Sequence, residues 1–190
     1  MDIGTGDGRA VLVRAAAEPR ALVIGVDAAA AAMTDASRRA ARRGPANALF
    51  FAAGAEELSA TPFAARADLV SIWFPWGSLM CGVLGLDPAV LAGVAALPCS
   101  DATLEVLASV VPDDHVAGLD RLDVTLEPSI RAAWQTAGLE LCSMRRATAA
   151  EIEASGSSWA RRLRTARLTS GHPTAEDVRP VWRLVGRRLG

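Results

Sequence analysis

Residues 2–8, DIGTGDG, decide the fold, because they combine an acid, an aliphatic residue and three glycines spaced as G-x-G-x-G. Glycine lets the backbone turn sharply and lets a ligand approach it closely. In a doubly wound parallel sheet, such a loop lies at the carboxyl end of the first strand, where ligands bind. Little sequence precedes the loop, so we expect the first strand to begin upstream of Met1, with its N-terminal part missing here.

Short, continuously apolar runs follow the glycine loop at regular spacing. They are ALVIGV (21–26), NALFFAA (47–53), ADLVSIW (67–73) and ATLEVLA (102–108). Runs of this length suit strands that are buried on both faces of a parallel sheet. Helical stretches alternate with them at 8–18, 28–43 and 87–97, and a helix at 127–137 and a strand at 139–146 follow. The sequence therefore predicts an α/β fold with a doubly wound, mostly parallel sheet.

The C-terminal part departs from this alternation. Thr148 and Glu151 have the spacing of a capping box and predict the start of a short helix. Gly156 breaks that helix, and Ser157 can cap a second one from 158 to about 168. The last strand is predicted at 178–189. We therefore predict a single domain over 1–190, with a helical insert at about 147–177 before the last strand.

The composition excludes several classes of protein. No apolar run reaches the roughly 18 residues of a membrane helix, and the opening glycines and acids differ from a secretory signal. Cys81, Cys99 and Cys142 show neither metal-ligand spacing nor an even count, and His115 and His172 are isolated. We expect a cytoplasmic monomer with no metal site and no membrane partner.

The charge is unevenly distributed along the chain. All 20 basic residues are arginine, and the net charge is -7 over residues 1–144 but +6 over 145–190. An arginine excess at one end favours a polyanionic partner. The alternative interpretation is an ordinary solvated surface.

Three carboxylates favour a particular cofactor. Asp27 ends the second strand, where an acid commonly accepts both ribose hydroxyls of an adenine nucleoside. A dinucleotide needs G-x-G-x-x-G for its pyrophosphate, which Asp2 and Asp7 beside the loop would repel. They suit the ammonium and sulfonium groups of S-adenosylmethionine, which we predict as the cofactor. Ala55 and Glu56, after the third strand, are predicted to contact its adenine. For the glycine loop, the alternatives are another nucleotide or no ligand. For residues 55–56, the alternative is an ordinary acidic turn.

Aromatic residues cluster after the fourth strand. Trp73 still belongs to the strand, and packing in the core is the expected role for it. Phe74 and Trp76 flank Pro75, which stiffens the loop. We predict that Trp76 stacks on a planar acceptor such as a nucleobase.

Trp159 is the second candidate for base stacking. It shares a helix face with Leu163 and Ala166, so packing in the core is the alternative. The rest of this predicted helix is rich in arginine, at Arg161, Arg162, Arg164 and Arg167. Arginine interleaved with an aromatic residue favours phosphate contacts beside a base-stacking surface. Trp134 and Trp182 are expected to pack against the sheet.

Five stretches, in this order and spacing, resemble the 16S ribosomal RNA adenosine-1408 N1-methyltransferases, the kanamycin–apramycin resistance enzymes. They are DIGTGDGR (2–9), GVD (25–27), AEEL (55–58), FPWGSLMCGVLG (74–85) and SSWARRL (157–163). The resemblance covers nearly the whole chain. It implies a class I, Rossmann-like S-adenosylmethionine-dependent methyltransferase that modifies adenine N1 in the decoding site of the 30S ribosomal subunit and gives aminoglycoside resistance.

The resemblance also implies roles for individual residues. The cofactor pocket would be lined by Asp2, Gly4, Gly6, Asp27, Ala55, Glu56, Trp73 and Ser78. Trp76 and Trp159 would sandwich a flipped adenine, with Phe74 and Ser157 beside it. The insert would dock on the 30S subunit, where its arginines, above all Arg162 and Arg167, would hold rRNA phosphates.

Two other functions stay open at this point. A small-molecule methyltransferase would use the same cofactor but would have a closed pocket in place of an open, arginine-rich face. A catalytically weak relative would bind RNA without binding S-adenosylmethionine. A nicotinamide oxidoreductase fits the glycine spacing least well.

Overall fold

One twisted sheet organises the chain. The structure, a computed structural model, describes residues 1–162 and 179–189. Its strands are β1 (Asp2–Ile3), β2 (Val23–Asp27), β3 (Ala48–Ala52), β4 (Ala67–Trp73), β5 (Pro98–Ala108), β6 (Leu139–Arg146) and β7 (Trp182–Arg188). They lie in the order β3-β2-β1-β4-β5-β7-β6. The pairs from β3 to β5 are parallel, and β7 runs antiparallel to both of its neighbours.

Helices cover both faces of this sheet. They are α1 (Arg9–Ala17), α2 (Thr34–Arg43), α3 (Gly77–Val83), α4 (Pro88–Ala95), α5 (Glu127–Thr136) and α6 (Ala149–Ala154), and residues 158–162 are also helical. Val23 and Ile24, consecutive on β2, point to opposite faces. Val23 packs with residues of α1, whereas Ile24 belongs to the larger apolar cluster that includes α3, α4 and α5. The doubly wound, mostly parallel fold predicted from the sequence is thereby confirmed.

Two tryptophans anchor the core as predicted. Trp134 is fully buried, and its Nε1 donates a hydrogen bond to the Val83 carbonyl at 2.9 Å. A Cβ atom at Gly186 of β7 would lie 2.4 Å from the Trp134 ring, so glycine permits the close approach of α5 to the sheet. Trp182 is 8% exposed and packs in the same apolar cluster.

Several boundaries differ from the sequence predictions. The helix predicted at 28–43 is a 3-10 turn, Ala30–Met33, followed by α2, because the Asp27 carboxylate accepts a hydrogen bond from the Ala29 N–H and holds that residue outside the helix. β5 begins at Pro98, and β7 begins at Trp182, two residues after Pro180. The structure also contains α3, where the sequence analysis predicted no helix or strand.

The third strand was wrongly expected to be buried on both faces. β3 is one of the two edge strands of the sheet, with Leu49 51% and Phe51 36% exposed. Its apolar residues match the pattern of a buried strand, but β3 pairs with another strand, β2, on one side only.

Among the described residues, no single helix is long and apolar enough to cross a membrane. The helices α3 and α4 reach the required length and composition only as a pair, and that pair is bent by 76°.

The strand order creates a switch point between β1 and β4. The chain leaves β1 towards β2 on one side, and leaves β4 towards β5 on the other. In open parallel sheets, ligands bind at the carboxyl ends of the two strands where the order reverses. The loops after β1 and β4 are residues 4–8 and 74–76, the two motifs that the sequence analysis singled out.

Candidate active site

The glycine loop turns at the carboxyl end of β1. Gly4, Gly6 and Gly8 have φ angles of 70°, 57° and 70°, a region that residues with side chains rarely adopt. A Cβ atom at Gly4 or Gly8 would collide with packed side chains, whereas one at Gly6 would meet nothing within 4 Å. Gly6 therefore faces open space, and it is the position where a ligand can approach the backbone.

Asp27 is held beside this loop at the end of β2. Its Oδ2 accepts a hydrogen bond from the Gly6 N–H at 2.8 Å, and its Oδ1 accepts one from the Ala29 N–H at 2.8 Å. Each carboxylate oxygen keeps a second lone pair. The side chain is thus fixed in place and can still accept hydrogen bonds from ribose hydroxyls.

Asp2 lies below the loop, within the sheet. Its Oδ1 accepts a hydrogen bond from the Ser71 hydroxyl of β4 at 2.9 Å, and only 4% of the residue is exposed. Burial raises the pKa of the Asp2 carboxyl from 3.8 to about 6. Asp2 and Trp73 line a cavity of about 420 Å³ between the sheet, α1 and α6. Trp73 is half-buried, and it packs against the apolar cluster of Phe74, Leu107 and Val181, as expected for a core residue.

Ala55 and Glu56 stand at the same edge, directly beyond β3. They begin a 3-10 turn, Ala55–Ala60, whose start is fixed because the Glu57 carboxylate accepts a hydrogen bond from the Gly54 N–H at 2.8 Å. The turn rests on α4, where a Cβ atom at Gly93 would come within 2.0 Å of the Ala55 oxygen. The Glu56 side chain is exposed.

Phe74 makes a sharp, strained turn at the end of β4. It has a φ of 54°, although it is not glycine, and its N–H donates to the Leu107 carbonyl at 2.7 Å. Such strain is commonly found at functional sites. The turn buries the Phe74 ring to 5% exposure and directs Trp76, which follows Pro75, out of the sheet.

Two aromatic rings of the predicted site stack on each other. Trp159 stacks on Phe74, with ring centroids 4.2 Å apart and an interplanar angle of 26°. Trp76 lies at the N-cap of α3, and it is 55% exposed. Ser78, in the first turn of α3, is also exposed. Phe74 thus supports the Trp159 ring, while Trp76 is the more exposed indole among the described residues of the site.

The insert folds as predicted at its start. Thr148 and Glu151 form the capping box of α6, and Gly156 breaks the helix with a φ of 65°. The Ser157 Oγ then caps the next helix by accepting a hydrogen bond from the Ala160 N–H at 3.0 Å.

Asp7, predicted to lie beside the cofactor, is hydrogen-bonded to the insert. Its carboxylate accepts hydrogen bonds from the Arg9 N–H at 3.1 Å and from the Ser158 hydroxyl at 2.5 Å. It lies in the glycine loop, between Gly6 and Gly8, and faces the insert. The bond from Ser158 holds the Trp159 helix against the glycine loop.

The chain matches a family model, NpmA, described as 16S rRNA (adenine(1408)-N(1))-methyltransferase, over residues 1–172. The chain belongs to this family. A 16S rRNA (adenine(1408)-N(1))-methyltransferase of Streptoalloteichus hindustanus is 33% identical over 179 residues, which cover 88% of this chain and 80% of that relative.

Solved structures of such methyltransferases have the same fold. The aminoglycoside resistance methyltransferase NpmB1 superimposes with a TM-score of 0.76 at 34% identity, covering 99% of this chain and 85% of that one. A variant of the enzyme from Catenulisporales acidiphilia, solved with its cosubstrate SAM, gives a TM-score of 0.81 at 28% identity, covering 100% and 84%. The chain is therefore a class I methyltransferase, a transferase that uses S-adenosylmethionine.

The arginines that the sequence singled out in this methyltransferase lie partly within the described residues. Arg161 and Arg162 are exposed on the helix that carries Trp159. Arg164 and Arg167 lie outside the described residues, so their predicted phosphate contacts stay predictions.

The sequence analysis did not single out a second group of arginines, because the net charge of residues 1–144 as a whole is negative. Arg38, Arg39, Arg42 and Arg43 are all exposed on α2. Arg39 and Arg43 line a groove with Arg161, between α1, α2 and the insert. Their i, i+4 spacing on one predicted helix was the available signal, since it aligns the charges on a single face. The methyltransferase thus has one basic surface formed from two distant segments.

Proposed function

We propose that this methyltransferase transfers a methyl group from S-adenosylmethionine to N1 of adenine 1408 of 16S rRNA in the 30S subunit, and so gives aminoglycoside resistance. The observation that carries the proposal is the exposed Trp76 beside the switch point, together with the stacked pair of Phe74 and Trp159. A small metabolite would need an enclosed pocket. An indole that is 55% exposed suits a large substrate that covers it on docking.

The cofactor site is supported by the chemistry around the glycine loop. Gly6 leaves open space for a close ligand, and the Asp27 carboxylate is fixed where it can accept the ribose hydroxyls. We assign the adenine contact to Ala55 and Glu56, and the methionine ammonium to the Asp2 carboxylate. Gly4, Trp73 and Ser78 complete the proposed set. S-adenosylmethionine supplies an electrophilic methyl group on a sulfonium.

The target base is held by aromatic stacking in this proposal. Adenine N1 lies on the Watson–Crick edge, so the base must leave its stack, at a cost of a few kcal/mol. Stacking on aromatic side chains contributes about 1–3 kcal/mol per base. We assign Trp76 and Trp159 to the two faces of the base, with Phe74 behind Trp159 and Ser157 beside it.

Catalysis then rests on positioning. Adenine N1 is a neutral nucleophile near pH 7, so the site has to align it with the methyl group rather than remove a proton. The methylated base carries a positive charge, which indole faces stabilise. Because this charge develops along the reaction, the tryptophans stabilise the transition state more than the ground state.

Docking on the subunit is assigned to the basic surface. It comprises the exposed arginines of α2 together with Arg161 and Arg162, and the proposal extends it to Arg164 and Arg167. Arginine contacts with phosphates release counterions and make binding depend on salt. The chain would act as a monomer on this substrate.

Transfer of labelled methyl groups to purified 30S subunits tests the assignment. Trp76→Ala and Trp159→Ala are each expected to lower kcat by roughly 10- to 100-fold, the equivalent of one lost stacking contact. Trp76→Phe should retain much of the activity, and cofactor affinity measured by calorimetry should stay within about twofold in every variant.

Leu86→Ala is the matched control, because Leu86 is also apolar and 48% exposed just beyond α3. Its kcat is expected to equal that of the wild type. Normal turnover in both alanine variants of the tryptophans would overturn the stacking role. Activity on a metabolite with none on 30S subunits would favour the small-molecule enzyme.

A further inference from the structure

Glu151, in the first turn of α6, joins the insert to the sheet. Its carboxylate accepts hydrogen bonds from both arms of the Arg145 guanidinium, from Nη1 at 2.9 Å and from Nη2 at 2.5 Å. It also accepts one from the Thr148 N–H at 2.9 Å, and its Oε1 lies 3.6 Å from Nε of Arg183. The hydrogen bonds from Arg145 and Thr148 lower the pKa of the Glu151 carboxyl to about 2, so it is ionised at neutral pH.

The two arginines that Glu151 contacts lie side by side on neighbouring strands. Arg145 of β6 is directly opposite Arg183 of β7 in the antiparallel pairing. Like charges at opposite positions repel each other and weaken a sheet, and the Glu151 carboxylate places a negative charge against both. Arg183 continues the connection, because its Nη2 donates to Glu105 of β5 at 2.8 Å. Two acids and two arginines thus form a neutral network across three strands.

The helix that Glu151 fixes leads directly to Trp159. Ile152, the next residue of α6, is 8% exposed and belongs to the apolar cluster that contains Phe74 and against which Trp159 packs. After α6 the chain turns at Gly156, which has a φ of 65°, and the Trp159 helix begins at residue 158. Because this connection is short, a displacement of α6 on the sheet would also displace the indole.

We propose that Glu151 is a positioning residue for methyl transfer: its pairing with Arg145 and Arg183 sets the place of α6 on the sheet, and thereby the place of the Trp159 indole. The inference rests on the proposed function of Trp159 and extends it. Apolar packing through Ile152 holds α6 against the sheet, but such packing has no direction of its own. A bidentate pair of arginine and carboxylate has a defined geometry, which supplies that direction.

Glu151→Gln separates this role from helix capping. A glutamine at this position can still accept the hydrogen bond of the capping box, but it places no charge between the two arginines. Glu127→Gln is the matched control. Glu127 also lies in the first turn of a helix, α5, and pairs with an arginine, Arg131, at 2.6 Å; its side chain is 29% exposed against 27% for Glu151.

Fluorine NMR on protein labelled with 5-fluorotryptophan tests the coupling without requiring activity. The Trp159 resonance, assigned by its loss in Trp159→Phe, is expected to shift in Glu151→Gln and in Arg145→Met. The double variant should shift it little further, because both changes break the same pair. In Glu127→Gln it should stay in place. An unmoved Trp159 resonance in Glu151→Gln, or an equal shift in the control, would overturn the inference.

Steady-state methylation of 30S subunits supplies the second readout. Glu151→Gln should lower kcat by roughly tenfold with KM unchanged, because a misplaced indole orients the base poorly without weakening docking. Glu127→Gln should retain the wild-type kcat. A lower melting temperature of Glu151→Gln with kcat unchanged would make Glu151 a structural anchor only and overturn the positioning role. An inactive wild type would count against the proposed function, whereas the fluorine shifts would still decide the coupling.

Discussion

The buried carboxylate of Asp2 is the residue whose environment departs most from that of an exposed acid. Burial raises its pKa to about 6, so the folded protein binds this proton more tightly than the unfolded chain does. The sign follows from linkage: folding stability falls as the pH rises from about 4 to about 6. A shift of this size corresponds to about 3 kcal/mol that the ionised carboxylate costs at neutral pH.

Asp2→Asn should therefore stabilise the protein at pH 7.5. The melting temperature of the variant is expected to exceed that of the wild type at pH 7.5, and the difference should shrink towards pH 4.5. Thermal unfolding followed by circular dichroism across this range measures it. A difference that is the same at every pH would show that the Asp2 carboxyl does not titrate near 6.

The same carboxylate should make cofactor binding depend on pH. An ammonium group beside Asp2 favours its ionised form, so affinity for S-adenosylmethionine should rise between pH 5 and pH 7 as the proton is lost. In Asp2→Asn the affinity should be lower and nearly constant over this range. Calorimetry measures both variants, and an equal affinity at pH 7 would remove Asp2 from the cofactor site.

Single residues were predicted well where local geometry decides their position. The sequence indicated Asp27 at the end of a strand and Ser157 as a helix cap, because neighbouring backbone groups fix both. It did not indicate the stacking of Phe74 on Trp159. That contact joins residues 85 positions apart and depends on how the insert packs.

At the scale of elements, α2 carries a prediction about docking. Arg39 and Arg43 are exposed one helical turn apart, and they line a groove with Arg161. Arg39→Ala and Arg43→Ala are each expected to weaken 30S binding and to reduce the slope of log affinity against log salt by about 0.7–0.9. Filter binding at several salt concentrations measures this, while kcat at saturating subunits should stay unchanged.

Arg187→Ala is the control for that experiment. Arg187 is exposed on β7, where it pairs with Glu140 at the opposite side of the sheet, and its loss changes the net charge equally. Its salt slope should match that of the wild type. Equal slopes in all three variants would mean that α2 does not contact the subunit.

Elements were predicted less well where packing overrides local pattern. The segment that forms α3, GSLMCGV, contains two glycines and no side-chain cap, so little in it favours a helix. It becomes helical in the fold because Leu79, Met80 and Val83 are buried in the main apolar cluster. The apolar pattern of β3 likewise could not distinguish an edge strand from a central one.

For the whole molecule, the alternation of strands and helices was enough to predict a doubly wound sheet, but not its complete order. The position of β7 between β5 and β6 depends on antiparallel pairing across distant segments. The two loops at the switch point were nevertheless recognisable, because glycine and aromatic residues mark them in the sequence. They bring the proposed cofactor and base sites to one edge of the sheet.

Primer extension on 16S rRNA tests the central claim most directly. A methyl group on N1 occupies the Watson–Crick edge of adenine, so reverse transcriptase should stop at that nucleotide. After 30S subunits are incubated with the protein and S-adenosylmethionine, we expect a strong stop at adenine 1408 that is absent without the cofactor. No cofactor-dependent stop at 1408, or a stop at another nucleotide only, would contradict the account.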